Sequence, residues 1–211
     1  AEQMKAVADA VKALAAPATV DFSEVVYESE TFPNSFKSNA NLAGIVFPQN
    51  VTKTSSAAFQ KTGMTSVTLL KGISYGSNAF DSCASLVSVT VEEGVTEIGN
   101  YMFQNTKLTD VTLPNSVTKI GASAFNGCSL TTINFGQGVK TIENSAFQNC
   151  GELTEIILPD ATETLGQNAF GDCPKLAKIS LGKNMKTLEA YCFVGYSKGC
   201  PLLGDIICRA T

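Results

Sequence analysis

The apolar positions of this chain recur with a long period before they show any short one. Phenylalanine stands at Phe36, Phe59, Phe80, Phe103, Phe125, Phe147, Phe170 and Phe193, at steps of 21 to 23 residues. Five or six residues after each comes a second apolar column, Leu42, Met64, Leu86, Leu108, Leu130, Leu153 and Leu176, with Leu203 after a longer gap. Each opens a run of the form L-x-x-I-x-L; in residues 108–113 its members are Leu108, Val111 and Leu113, with Thr109, Asp110 and Thr112 between them. Alternation of apolar and polar residues is the period of a strand that buries one face, so each repeat contributes one short strand.

The distance from the opening leucine to the next phenylalanine is 17 residues in every repeat but one, Met64 to Phe80, where it is 16. Two further apolar columns occupy that interval, Val51, Val95, Val117, Val139 and Met185, then Ile98, Ile120, Ile142, Leu165 and Leu188, with Thr54 and Thr162 breaking them. Turn residues such as Pro114-Asn115 and Pro159-Asp160 follow the strands. A unit with this many inward columns cannot bury them alone, and units repeating at this period stack. The expectation is a solenoid, mainly β, of about eight repeats with a parallel sheet on one face. Strands about 4.8 Å apart would make that sheet roughly 34 Å long.

Residues 1–33 lie outside the repeat. Met4, Val7, Ala8, Val11, Leu14 and Ala15 share one helical face, and Pro17 ends the pattern. This predicts a helix of three to four turns that caps the open end of the array, followed by Val20 to Tyr27 as a degenerate strand or linker. A signal-derived or partner-binding helix is the alternative. The domains are then a cap and linker over residues 1–33 and a repeat array over residues 34–211, expected to continue beyond Thr211.

Residues 108–130, LTDVTLPNSVTKIGASAFNGCSL, resemble the BspA-type leucine-rich repeat, also called the Treponema pallidum type. The resemblance rests on the L-x-x-V-x-L-P run, the Ile120-Gly121 and Ala124-Phe125 pairs, and Cys128 three residues after the phenylalanine. Departures include Met102 and Cys192 in place of the alanine, and Thr62 and Thr106 in place of the cysteine. The resemblance implies a right-handed leucine-rich repeat solenoid and a bacterial or protozoan surface protein with a role in adhesion or ligand binding. It brings no catalytic residue with it.

Composition narrows the chemistry. The 211 residues contain no histidine, no tryptophan and one arginine, Arg209. Histidine-dependent nucleophile systems, histidine general bases and His-ligated zinc are therefore excluded. A net charge of −4 gives no footprint for nucleic acid, and a membrane association is expected only through an anchor outside this chain. No cofactor and no metal site is expected. Cys83, Cys128, Cys150, Cys173 and Cys200 share one column with Asn39, Thr62 and Thr106. Their common property is a small polar group that reaches loop backbone, which predicts buried free thiols rather than bridges. Carboxylates such as Glu92 and Glu93, or Asp160 and Glu163, fall in turns and read as solvated. Tyr75, Tyr101, Tyr191 and Tyr196 read as rim packing.

The outward face of the strands is the one extended surface that a solenoid offers. Its candidate binding residues are Asp110, Thr112, Thr132, Asn134, Glu155, Ile157, Lys178 and Ser180. The first half of that face, with Gly44, Ser66, Thr68, Ser88 and Thr90, offers less charge and less reach. The expected function is a non-enzymatic, exported cell-surface protein that contacts an extracellular protein or glycan. A structural spacer is the alternative, and a polysaccharide-acting β-helix enzyme a third.

Overall fold

A computed structural model describes residues 2–194, 197 and 199–208. The chain winds into stacked coils. One face carries β1 (Ala18–Asp21), β3 (Leu42–Val46), β5 (Ser66–Leu69), β6 (Ser88–Val91) and β8 (Asp110–Thr112), then β10 (Thr132–Asn134), β12 (Glu155–Ile157), β14 (Lys178–Leu181) and β16 (Asp205–Cys208). Pairing along it is parallel, in the blocks β1–β3, β5–β6, β8–β10 and β12–β14–β16, and β5–β6 and β12–β14 are offset by one repeat, as in Val67↔Val89 and Ile156↔Ile179. The array begins earlier than residue 34, because β1 pairs with β3 and supplies a coil of its own.

A second parallel sheet lies on another side of the coils and was not anticipated. It comprises the two-residue strands β2 (Thr31–Phe32) and β4 (Lys53–Thr54), then β7 (Glu97–Ile98), β9 (Lys119–Ile120), β11 (Thr141–Ile142), β13 (Thr164–Leu165) and β15 (Thr187–Leu188). Strands of two residues have too little alternation to be read from sequence. They form because the column of Ile98, Ile120, Ile142, Leu165 and Leu188 pins each member above its counterpart, as Ile120 stands above Ile98.

This sheet has a breach. The short repeat lacks a residue between Ile73 and Ser74, where the next coil has Thr96. Only an isolated bridge, Lys53↔Ser74, forms there, and among the described residues Ser74 is not paired with Glu97. Tyr75 takes the place of the column isoleucine, and its hydroxyl accepts a hydrogen bond from the Leu70 N–H at 3.1 Å. Burial pushes the phenol pKa up to about 12.

The phenylalanine turns form a third ladder. In the coil of Phe103, the N–H groups of Tyr101, Phe103 and Asn105 donate to the carbonyls of Ala122, Ala124 and Asn126 in the next coil. Left-handed backbone at Tyr101 (φ 56) and Asn105 (φ 55) aims these alternate donors the same way. The position two after the phenylalanine is filled by Ser82, Asn105, Gly127, Asn149 and Asp172, types that tolerate this conformation. Gly121 has a different reason: a Cβ there would lie 2.4 Å from Asn100 Oδ1.

Inside these walls the phenylalanine rings stack. Centroids are 5.4 Å apart for Phe59 and Phe80, 5.2 Å for Phe125 and Phe147, and 5.1 Å for Phe147 and Phe170, with interplanar angles of 16°, 9° and 6°. Phe32 extends the stack, lying 6.0 Å from Phe36 and 5.7 Å from Phe59.

The helix α1 (Glu2–Lys12) buries Met4, Ala8 and Val11 against the first coil. It ends before Leu14, which is exposed, because Asn41 Nδ2 donates to the carbonyls of Lys12 and Leu14. Asn39 Nδ2 donates to the Ala8 carbonyl at 2.9 Å, so the head of the cysteine column also holds the helix. At the other end Leu188, Ile206 and Cys208 are exposed although their columns face inward elsewhere, since among the described residues no further coil covers them.

Candidate functional site

The eight residues expected to form a binding surface do lie on the sheet face. They fall into two rows, Asp110, Thr132, Glu155 and Lys178, and Thr112, Asn134, Ile157 and Ser180. Pairing aligns Asp110 with Thr132, Thr112 with Asn134, Glu155 with Lys178, and Ile157 with Ser180. Strands β10 and β12 run side by side and join the two pairs.

Ser180 departs from the expectation. It is only 9% exposed, because its row neighbours Ile157 and Ile207, 57% and 41% exposed, close over the small side chain. Lys178 and Glu155 form an ion pair at 2.7 Å, and the hydrogen bond that the ammonium donates to Glu155 holds its pKa above the ordinary value. Asn134 Oδ1 accepts from the Gly136 N–H at 3.1 Å, so this amide is partly committed to its own turn.

The concavity on this face lies elsewhere. A groove of ≈ 490 Å³ crosses β1, β3, β5 and β6, lined by Thr19, Gly44, Ser66, Thr68, Ser88 and Thr90 among others, with no charged side chain. The short side chains that argued against a site in the first half of the face line this groove, and at Gly44 the Thr19 side chain approaches so closely that a Cβ would lie 2.9 Å from its Oγ1. Reach and charge are legible along the sequence, whereas the depth that small residues leave is not. A second groove of ≈ 250 Å³ marks the breach, between Ile73-Ser74-Tyr75 and Val95-Thr96-Glu97.

The tyrosines do not behave as a group. Tyr75 is buried, whereas Tyr101 and Tyr191 project outward, 40% and 56% exposed, from left-handed backbone; Tyr196 lies outside the described residues. The turn carboxylates are not simply solvated. Four lysines of one coil meet four acidic residues of the coil before: Lys175 with Glu152, Lys178 with Glu155, Lys183 with Asp160 and Lys186 with Glu163. Each pair is 23 residues apart, a signal that the sequence carries at the repeat period.

The cysteine column is a line of thiols bonded to carbonyls. Cys83, Cys128, Cys150, Cys173 and Cys200 donate to the carbonyls of Phe59, Phe103, Phe125, Phe147 and Phe170 at 3.1 to 3.3 Å. Thr62 and Thr106 donate to the Phe59 and Phe103 carbonyls at 2.9 Å. All seven cysteines are free; five are buried, Cys200 is half-buried and Cys208 is exposed. Burial pushes the Cys128 thiol up to about 11 and Cys173 to about 12. Among the described residues no three acidic or cysteine side chains converge as a metal site would require.

The sequence matches the family described as BspA type leucine-rich repeat region, in six copies over residues 19–75 and 74–199. The chain belongs to that family. Among solved structures it is similar to a leucine-rich cell surface protein from Faecalibacterium prausnitzii A2-165, at 22% identity and a TM-score of 0.61, over 92% of this chain and 60% of that one. It is also similar to a leucine-rich repeat protein from T. pallidum, at 22% identity and a TM-score of 0.50, over 90% of this chain and 73% of that one. At these identities the likeness is one of fold, and this BspA-type chain spans 60% of the length of the F. prausnitzii protein. No curated protein matches the sequence. Among the described residues, no helix of this BspA-type array is long and apolar enough to cross a membrane.

Proposed function

We propose that this BspA-type array is a non-catalytic binding module displayed at a cell surface, and that the sheet face contacts an extended extracellular protein or glycan. The observation that carries the reading is that this face sets a groove beside exposed polar rows. An uncharged groove of hydroxyl and apolar side chains across β1, β3, β5 and β6 lies beside the exposed rows of β8, β10, β12 and β14, where Asp110, Thr132 and the Glu155–Lys178 pair offer donors and acceptors beside Ile157. Neighbouring rows about 4.8 Å apart suit a chain-like ligand read along several coils, with little free energy per coil and more from several copies at a surface. The surface location rests on family membership and on the F. prausnitzii relative, which is a cell surface protein.

A glycan and host-protein array probed with the full chain tests this. Asn134→Ala with Glu155→Ala, and separately Thr68→Arg to fill the groove, should each lower binding to any ligand found, with the melting temperature nearly unchanged. Normal binding by both variants, or a ligand mapped to the turns around Tyr101 and Tyr191, would refute the sheet-face reading.

A further inference from the structure

The cap carries a feature that the array does not explain. Between α1 and residues 22–29 runs a groove of ≈ 430 Å³. Met4 and Val7 of the helix form one wall, Phe22 and Tyr27 are at its base, and Val25 and Val26 form the opposite lip. Val26 is 93% exposed and Val25 44%, two adjacent β-branched side chains presented to water.

The groove is held open by fixed parts. Phe22 packs edge-on against Phe32 at 5.8 Å and Phe36 at 6.2 Å, and Tyr27 lies 6.4 Å from Phe32, so the base continues the aromatic stack of the core. The helix wall is tied by Asn39 and Asn41. A ligand entering here would have little ordering to impose, which favours affinity.

Charge says what that ligand is. Residues 13–36 hold Asp21, Glu24, Glu28 and Glu30 and no lysine or arginine, and all four acids are exposed. The other 15 acidic residues equal the 15 basic ones, so the net −4 of the whole chain resides in this segment. An apolar slot lined by Glu28, within an acidic segment that also holds Glu24 and Glu30, is complementary to apolar side chains flanked by cationic ones.

We propose that the cap groove docks a short segment of another protein in which apolar residues alternate with lysine or arginine. Its apolar side chains enter between Val7 and Val26 while its basic ones face Glu24, Glu28 and Glu30. This surface is separate from the sheet face, so either proposal can fail without the other.

The test uses the full chain and a fluorescein-labelled peptide alternating lysine with leucine, against one alternating glutamate with leucine, read by anisotropy. The lysine peptide should bind at least about tenfold more tightly, and the preference should shrink as salt rises. Val26→Ser, at a position exposed enough not to disturb folding, should weaken binding at least about tenfold. Glu24→Gln with Glu28→Gln should remove most of the salt dependence, and Thr68→Arg should change nothing. Equal affinity for the two peptides, or unchanged binding by both cap variants, overturns the proposal. So does sedimentation showing a dimer that Val26→Ser dissociates, since the groove would then be covered by a second copy.

Discussion

Each of five phenylalanines of the array, Phe59, Phe103, Phe125, Phe147 and Phe170, does two things at once. Its ring joins the stack, and its carbonyl receives the thiol or hydroxyl of the polar column. Phe125 shows both, with rings at 5.5 and 5.2 Å on either side and the Cys150 thiol on its carbonyl at 3.3 Å. Phe125→Ala removes a fully buried ring between two rigid neighbours that cannot collapse, and should cost about 3 to 5 kcal/mol in denaturant melts. The thiols titrate the other side of the arrangement. Burial raises the folded pKa of Cys128 to about 11 and of Cys173 to about 12, above the value in the unfolded chain. Their contribution to stability is therefore complete below the unfolded value and is lost as pH rises through the folded ones, by up to about 1.4 kcal/mol per pH unit for each thiol. Urea melts under reductant should show stability falling between neutral pH and pH about 10.5, less steeply in Cys173→Thr, which borrows the residue used at Thr62 and Thr106. Thiol labelling of the native protein should show Cys208 reacting first, Cys200 more slowly and the five buried cysteines only on unfolding. Fast labelling of all seven would contradict the column.

At the level of the element, neighbouring coils are matched by charge as well as by ring stacking. The acidic coil with Glu152, Glu155, Asp160 and Glu163 receives the basic coil with Lys175, Lys178, Lys183 and Lys186 at four points around the turn. These pairs are exposed, and exposed pairs contribute little to stability one by one. Their collective effect is to favour this coil order and register over a slipped one, which would set like charges together. The hydrogen bond from Lys186 holds the Glu163 carboxyl below its usual range, so its contribution is present above that range and disappears as pH falls through the lowered value. Glu163→Lys should lower the unfolding midpoint, by much less than Phe125→Ala, and Lys186→Glu added to it should restore most of the loss. High salt should shrink both effects. No recovery in the double variant would mean that the pair is incidental.

For the whole molecule, stability should follow the ladders. Coils between Phe80 and Phe170 have partners on both sides. The breach adds a weak line inside the array, since among the described residues β7 pairs with β9 alone, although the rings of Phe80 and Phe103 remain stacked at 5.6 Å. Hydrogen exchange should therefore find the amides of residues 96–99 opening faster than those of residues 118–121, on the order of tenfold. Equal protection would show that the missing residue is absorbed without loss of pairing.

The sequence by itself determined the side-chain columns that repeat. Steps of 21 to 23 residues between phenylalanines, the leucine columns and the interchange of Cys128 with Thr106 reported the solenoid, its core and the bonding of its thiols. Those features answer to a position within one coil, and eight copies of the coil restate them. Tertiary structure decided whatever depends on the coil next door. It covered Ser180 with Ile157 and Ile207, paired Glu163 with Lys186, and hollowed a groove across β1, β3, β5 and β6. It also turned residues 18–32 into a coil of the array, because backbone pairing of β1 with β3 needs an edge to build on rather than a matching side-chain pattern.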